Sequence, residues 1–147
     1  MTGIPDHPPL YWLALFAVVL FGKMVVLSLV QGYHRFSKKT YKNPEDARSL
    51  GRDPAAEELP QVQRAARAWL NDLENIPVFL ILALIYVQLG SAPQLAFGLF
   101  GGFTLARVLH SFFYLFGLQP WRTLAYVGGL VATIWVCIEI LLTIPPL

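Results

Sequence analysis

The chain has 147 residues, 56% of them hydrophobic and 14% charged, with a formal net charge of +2. Soluble domains carry about 25% charged residues, so this composition points to a membrane. The small net charge and the lack of a basic run interleaved with aromatics argue against nucleic acid as a partner. The single cysteine, Cys137, excludes an intrachain disulfide.

The length suits one domain, 1–147. Four segments, about 10–34, 74–90, 94–116 and 121–144, approach the roughly 20 apolar residues that cross a bilayer. The first lacks a basic n-region, and its apolar run passes Lys23 and reaches Val30. It therefore reads as a retained helix over about 9–35, not a signal peptide. The polar loop at about 36–60 is broken by Pro44, Gly51, Pro54 and Pro60. A connection of that length is expected to fold onto the rest of the chain. Pro60 suits a first helical turn, which predicts a second helix over about 61–90. Its apolar part, 76–89, is too short to span alone, so "RAARAWLNDLEN" at 64–75 supplies the missing turns. Pro77 predicts a kink just after that stretch. Pro93 and Pro120 mark the starts of helices over about 93–116 and 120–144, and Pro145 and Pro146 stop the last. "GLFGG" at 98–102 reads as a patch for close helix packing. Cys137 reads as a buried small hydrophobe. The fold class is all-α, an integral membrane four-helix bundle.

Lys38, Lys39, Lys42, Arg48, Arg52 and Arg64 lie between the first two spans, and Arg122 stands at the same face of the fourth. The N-terminal leader, the link "QLGSAPQ" and the tail "IPPL" hold no Lys or Arg. The positive-inside rule makes the basic connections cytoplasmic and puts both termini on the far side, in an up-down topology.

On a helical wheel Arg64, Arg67, Asn71 and Glu74 fall within an arc of about 80°, and Asp72 points elsewhere. Charges at bilayer depth must face protein or a wet cavity. In the third helix Arg107, His110 and Tyr114 share a face, and Arg107 needs an anionic partner, for which Glu74 is a candidate. In the fourth, Arg122 and Tyr126 are i, i+4 neighbours with Thr123 beside them. Arg35 closes the first helix at the same level. Arg35, Arg64, Arg67, Arg107 and Arg122 face only Asp72 and Glu74 within the spans, with the loop acids Asp46, Glu57 and Glu58 nearby. Excess cations in a partly dehydrated site call for an anionic ligand with at least two carboxylates or a thiolate. Two plainer readings compete: a salt-bridge network that pins helices, and capture of anionic lipid headgroups. Asn71 and the ring hydroxyls favour a shaped pocket. Lys23 and Glu139 lie deeper and read as structural, paired with each other or bonded across a subunit interface. His7, His34 and His110 are too scattered for a metal site, and there is no phosphate loop, GxGxxG or Ser–His–Asp setting.

"RAWLNDLENIPVFLILALIYV" at 67–87, with "NPEDA" at 43–47 and "RVLHSFFYL" at 107–115, resembles the MAPEG family of membrane-associated proteins in eicosanoid and glutathione metabolism. The resemblance runs from Lys23 onward and lies with the branch of the microsomal glutathione transferases and prostaglandin E synthases. It implies a homotrimer with glutathione between neighbouring subunits near the cytoplasmic face. Arg35, Arg67, Asn71, Glu74, His110, Tyr114, Arg122 and Tyr126 would line the glutathione site. Arg122 would stabilise the thiolate, with Thr123 as a hydrogen-bond donor. Asp46 would approach Arg122, and Arg64, Asp72 and Arg107 would support the site. Leu70 and Thr123 depart from the prostaglandin-synthase pattern. The resemblance thus implies a detoxifying glutathione transferase, with lipid hydroperoxide reduction as a second activity and no metal. The alternatives are a glutathione-dependent isomerase of lipid endoperoxides and a non-catalytic lipid-binding member of the fold. The apolar substrate would come from the bilayer, in a bacterial inner membrane or the endoplasmic reticulum.

Overall fold

The structure, a computed structural model, describes residues 8–145. The leader with His7, the residue Pro146 and the sidedness expected of the termini lie outside the described residues. The helices in chain order are α1 (Pro8–Lys38), α2 (Pro44–Ser49), α3 (Pro60–Gln88), α4 (Pro93–Phe116) and α5 (Trp121–Thr143). All but α2 are long and apolar enough to cross a membrane. Pro occupies the first turn of α2, α3 and α4, where its missing N–H costs nothing. Helix α3 runs through Pro77 as one element. Gly117 ends α4 in the left-handed conformation at φ 69°, and the N–H of Leu118 closes onto the Phe113 carbonyl at 2.8 Å.

Helices α3 and α4 form the middle of the bundle. Each packs on the other and on both α1 and α5, while α1 and α5 do not pack together. The apolar core joins Leu13 and Leu20 of α1 to Phe79 and Ala83 of α3, Phe100 and Phe103 of α4, and Val136 of α5. Phe79 and Phe103 stack at 3.6 Å between ring centres. Above it lies an ionic layer. Asp72 of α3 is fully buried, and its carboxylate takes Lys23 Nζ from α1 on Oδ2 and Arg107 Nη2 from α4 on Oδ1 at 2.9 Å. Ser111 Oγ donates to the same carboxylate at 3.3 Å, and Arg107 also donates to Asn71 Oδ1.

The structure corrects three expectations. Asp72, which does point away from the polar arc, is the anion of this layer, and it rather than Glu74 partners Arg107. The reason is the wheel itself: the buried stripe of α3 is Val62, Ala65, Ala68, Asp72, Ile76 and Phe79, so the charged arc faces outward. Lys23 pairs with Asp72, not Glu139, whose Oε1 accepts from Trp135 Nε1 at 3.0 Å. Cys137 is half-buried rather than buried.

The loop folds back on the end of α1 through Tyr41 and Glu58, while α2 itself packs on no other helix. Ala47 and Tyr41 are buried, Tyr41 meets Phe36 edge to face, and Gly51 ends the short helix at φ 66°.

Candidate functional site

Three helix ends build a hollow. Pro60 starts α3 and aims its first turns, carrying Gln63, Arg64 and Arg67, at the C-terminus of α4. Gly117 turns the chain there, and α5 starts with Arg122 one short loop later. The resulting hollow of about 380 Å³ is lined by Pro60, Gln63, Arg64, Arg67, Tyr114, Gly117 and Arg122. Three guanidinium groups and no carboxylate line it. Arg64 and Arg67 are exposed and have no ion pair among the described residues.

Arg122 is held from two sides. Its guanidinium lies over the Tyr114 ring at 4.7 Å from the centroid, a favourable cation–π geometry. Gln119, with its carbonyl turned toward Arg122, accepts from Nε at 3.1 Å, and the same side chain lies 3.1 Å from Thr123 Oγ1. His110 packs edge-on against Tyr114 at 5.6 Å and near Tyr126 at 6.2 Å. It is buried, and its Nδ1 has no hydrogen-bond partner. The structure thus gathers Arg64, Arg67, His110, Tyr114, Arg122, Thr123 and Tyr126 at one end of the bundle.

Four expected residues, Arg35, Asp46, Asn71 and Glu74, stand apart from this hollow. Arg35 forms a fork with Glu58, Nε and Nη2 both on Oε2 at 2.9 and 2.6 Å. It shares a separate hollow of about 310 Å³ with Phe36, Tyr41 and Asp46. Asp46 therefore sits on the Arg35 side, not beside Arg122, and accepts from Asn43 Nδ2 at 3.2 Å. Glu74 is exposed on the outward face of α3, without an ion pair among the described residues. Asn71 is half-buried, its amide oxygen taken by Arg107.

Sequence reasoning missed Gln119 and Gln63, and counted Glu58 only as a nearby loop acid. Gln119 stands three residues before Arg122 and four before Thr123, a helical spacing obscured by the intervening Pro120. Glu58 carried no signal beyond its charge. Among the described residues no group of three or more His, Cys, Asp or Glu could hold a metal ion.

Such a hollow attracts an anion of more than one charge and can lower the pKa of a thiol held against Arg122.

Comparison with known proteins agrees with that chemistry. Residues 13–142 match the model of the MAPEG family. The chain is 34% identical to human microsomal glutathione S-transferase 1 over 134 residues, 88% of this chain and 86% of that one. It is 38% identical to prostaglandin E synthase of Macaca fascicularis over 122 residues, 82% of this chain and 80% of that one. It is 39% identical to microsomal glutathione S-transferase 1 of Sus scrofa over 124 residues, 79% and 78% of the two chains. With four helices fit to cross a bilayer and a match over nearly its whole length, this chain is an integral, multi-pass membrane protein and belongs to the MAPEG family.

Proposed function

We infer that the protein is a membrane glutathione transferase that binds glutathione in the cationic hollow and uses it as the thiolate. The observation that carries this reading is the set of three guanidinium groups with no carboxylate around about 380 Å³. Glutathione offers two carboxylates, an ammonium and a thiol. Arg64 and Arg67 suit the carboxylates, Glu74 the ammonium, and Arg122 the sulfur, with Thr123 as a neutral donor. An unperturbed thiol has a pKa of about 8.5 and is mostly protonated at pH 7. A guanidinium against it favours the thiolate, and the proton leaves to solvent. The thiolate then forms a carbon–sulfur bond to an apolar electrophile from the bilayer and expels the leaving group, for instance a halide from an aryl halide. Fixing both partners at the lipid boundary adds proximity. Reduction of lipid hydroperoxides is a second activity of this site: the thiolate takes the terminal peroxide oxygen, the lipid leaves as its alcohol, and a second glutathione converts the resulting sulfenic acid to the disulfide and water.

The reading includes a homotrimer with the site between copies. The outward face of α3 presents Arg67 and Glu74 beside the exposed Leu70, Val78 and Ile81. A charge facing lipid is costly, so this face needs a protein cover. A neighbouring copy supplies it and would add its Arg35 and Asp46 to the hollow. The basic connections turn the site to the cytoplasm.

The test is turnover in detergent with glutathione and a generic aryl halide, alongside a lipid hydroperoxide. Conjugate formation that saturates in glutathione is expected, and a protein that binds no glutathione by calorimetry overturns the reading. The match to a prostaglandin E synthase supports one second reading, isomerisation of a lipid endoperoxide with glutathione as cofactor. Product analysis with such a substrate separates the two.

A further inference from the structure

Arg64 belongs to two hollows at once. Behind the cationic one lies a second, of about 460 Å³, within the size of small-molecule sites. One end is basic: Arg64 of α3 and His34 of α1, beside Gln61 in the first turn of α3. First-turn N–H groups have no partner within the helix and carry its positive end. The other end is a single apolar strip, Val30 from α1 with Leu115 and Phe116 from α4, and Phe116 is 64% exposed. Pro60 and Arg64 line both hollows, and Arg64 is the charged group they share. It lies so close over Gly117 that a Cβ there would fall on Nη1. With no ion pair among the described residues, its guanidinium is available from either side.

We propose that this second hollow binds a single-chain anionic amphiphile of the fatty-acid type, carboxylate on Arg64 and chain along Leu115 and Phe116, which competes with the cationic hollow for Arg64. The site mixes one strong cation with one narrow apolar strip. A small soluble anion gains nothing from the strip, and a neutral lipid gains nothing from the guanidinium. Only a ligand with both parts uses both ends. Drawing the guanidinium toward the amphiphile removes one cation from the glutathione side, so each ligand weakens the other by the same factor. This coupling rests on the glutathione reading; the amphiphile site itself does not.

The experiment uses the full chain in phosphatidylcholine nanodiscs. Palmitate binding is expected to saturate at one per chain, and neither hexadecanol nor acetate should compete. Arg64→Gln should weaken palmitate on the order of tenfold or more, the scale of a lost charge-assisted hydrogen bond. Phe116→Ser, or Leu115→Ser if that variant does not fold, should weaken palmitate and leave glutathione affinity at the parent value. Palmitate should raise the glutathione Kd in the parent and leave it unchanged in Arg64→Gln. Unsaturable palmitate uptake, equal binding by Arg64→Gln, or competition by hexadecanol means ordinary boundary lipid and overturns the proposal. Displacement by trace phosphatidylglycerol overturns the single-chain assignment. If glutathione fails to bind the parent, the transferase reading falls, while the palmitate isotherms still decide this site.

Discussion

Two clusters of the same residue types sit a few helical turns apart and behave oppositely. In the ionic layer, Lys23 and Arg107 share the buried Asp72, Asn71 accepts from Arg107, and Ser111 donates to the carboxylate, while Arg107 Nε is left without a partner among the described residues. In the cationic hollow, Arg64, Arg67 and Arg122 meet a ring face and an amide but no carboxylate. Satisfied charges between helices hold those helices in place. Unsatisfied charges around a space are waiting for a ligand. The contrast separates scaffold from site more sharply than residue identity does.

The strongest way to break this comparison is Asp72→Leu. It would leave Lys23 and Arg107 buried without an anion, at a cost of about 3–5 kcal/mol. Thermal unfolding in detergent should show a large loss of stability, and an unchanged melting temperature would remove Asp72 from the scaffold. A second cut falls on the site. Arg122→Leu should lower turnover at pH 7 about tenfold to a hundredfold, matching about 1.5–3 kcal/mol for a charge-assisted contact. The sign follows from charge. On the proposed reading the cation holds the bound thiol below its ordinary pKa, so its removal should raise that pKa and activity should recover as pH increases. Thiolate absorbance titrated against pH in both proteins checks this, and identical curves would shift the role to Tyr114 or Tyr126. Glu74→Gln should weaken glutathione by about 1.5–3 kcal/mol in calorimetry, with the fold intact. Unchanged affinity would make Glu74 part of the scaffold. A milder change is Gly117→Ala. Its φ of 69° costs an L-residue roughly 1–2 kcal/mol, and the new methyl must push Arg64 aside. A modest fall in melting temperature with weaker glutathione binding is expected. Thr123→Ala should change turnover less than any of these, because a neutral donor stabilises charge less than a cation.

The long helices were readable because hydropathy and proline positions both mark them, and only their ends moved, as at Lys38 where α1 runs past Arg35. Helix α2 escaped although Pro44, Glu45, Asp46 and Gly51 spell a short helix with its stop. Six residues leave no periodicity to read. That Arg67, His110, Tyr114, Arg122 and Tyr126 lie at one end of the bundle followed from their level along successive up-and-down spans. The role of Asp72 did not. A wheel gives directions but not which direction is inward, and on α3 the alanines, not the charges, choose the buried side. Arg35 and Asp46 share a hollow of their own, away from the other expected site residues, and spacing along single helices does not carry how the 36–60 loop seats against the end of α1.

The fork between Arg35 and Glu58 ties the end of α1 to the approach of α3, and the Ala55 N–H joins the Tyr41 carbonyl at 2.8 Å inside that span. The intervening segment is thus stitched to itself at both margins, with Arg48 and Arg52 exposed between the stitches. A protease that clips after either arginine would cut the chain without parting it. The two pieces would travel together through a native column and separate only when denatured, so the same preparation would look intact by one method and broken by the other.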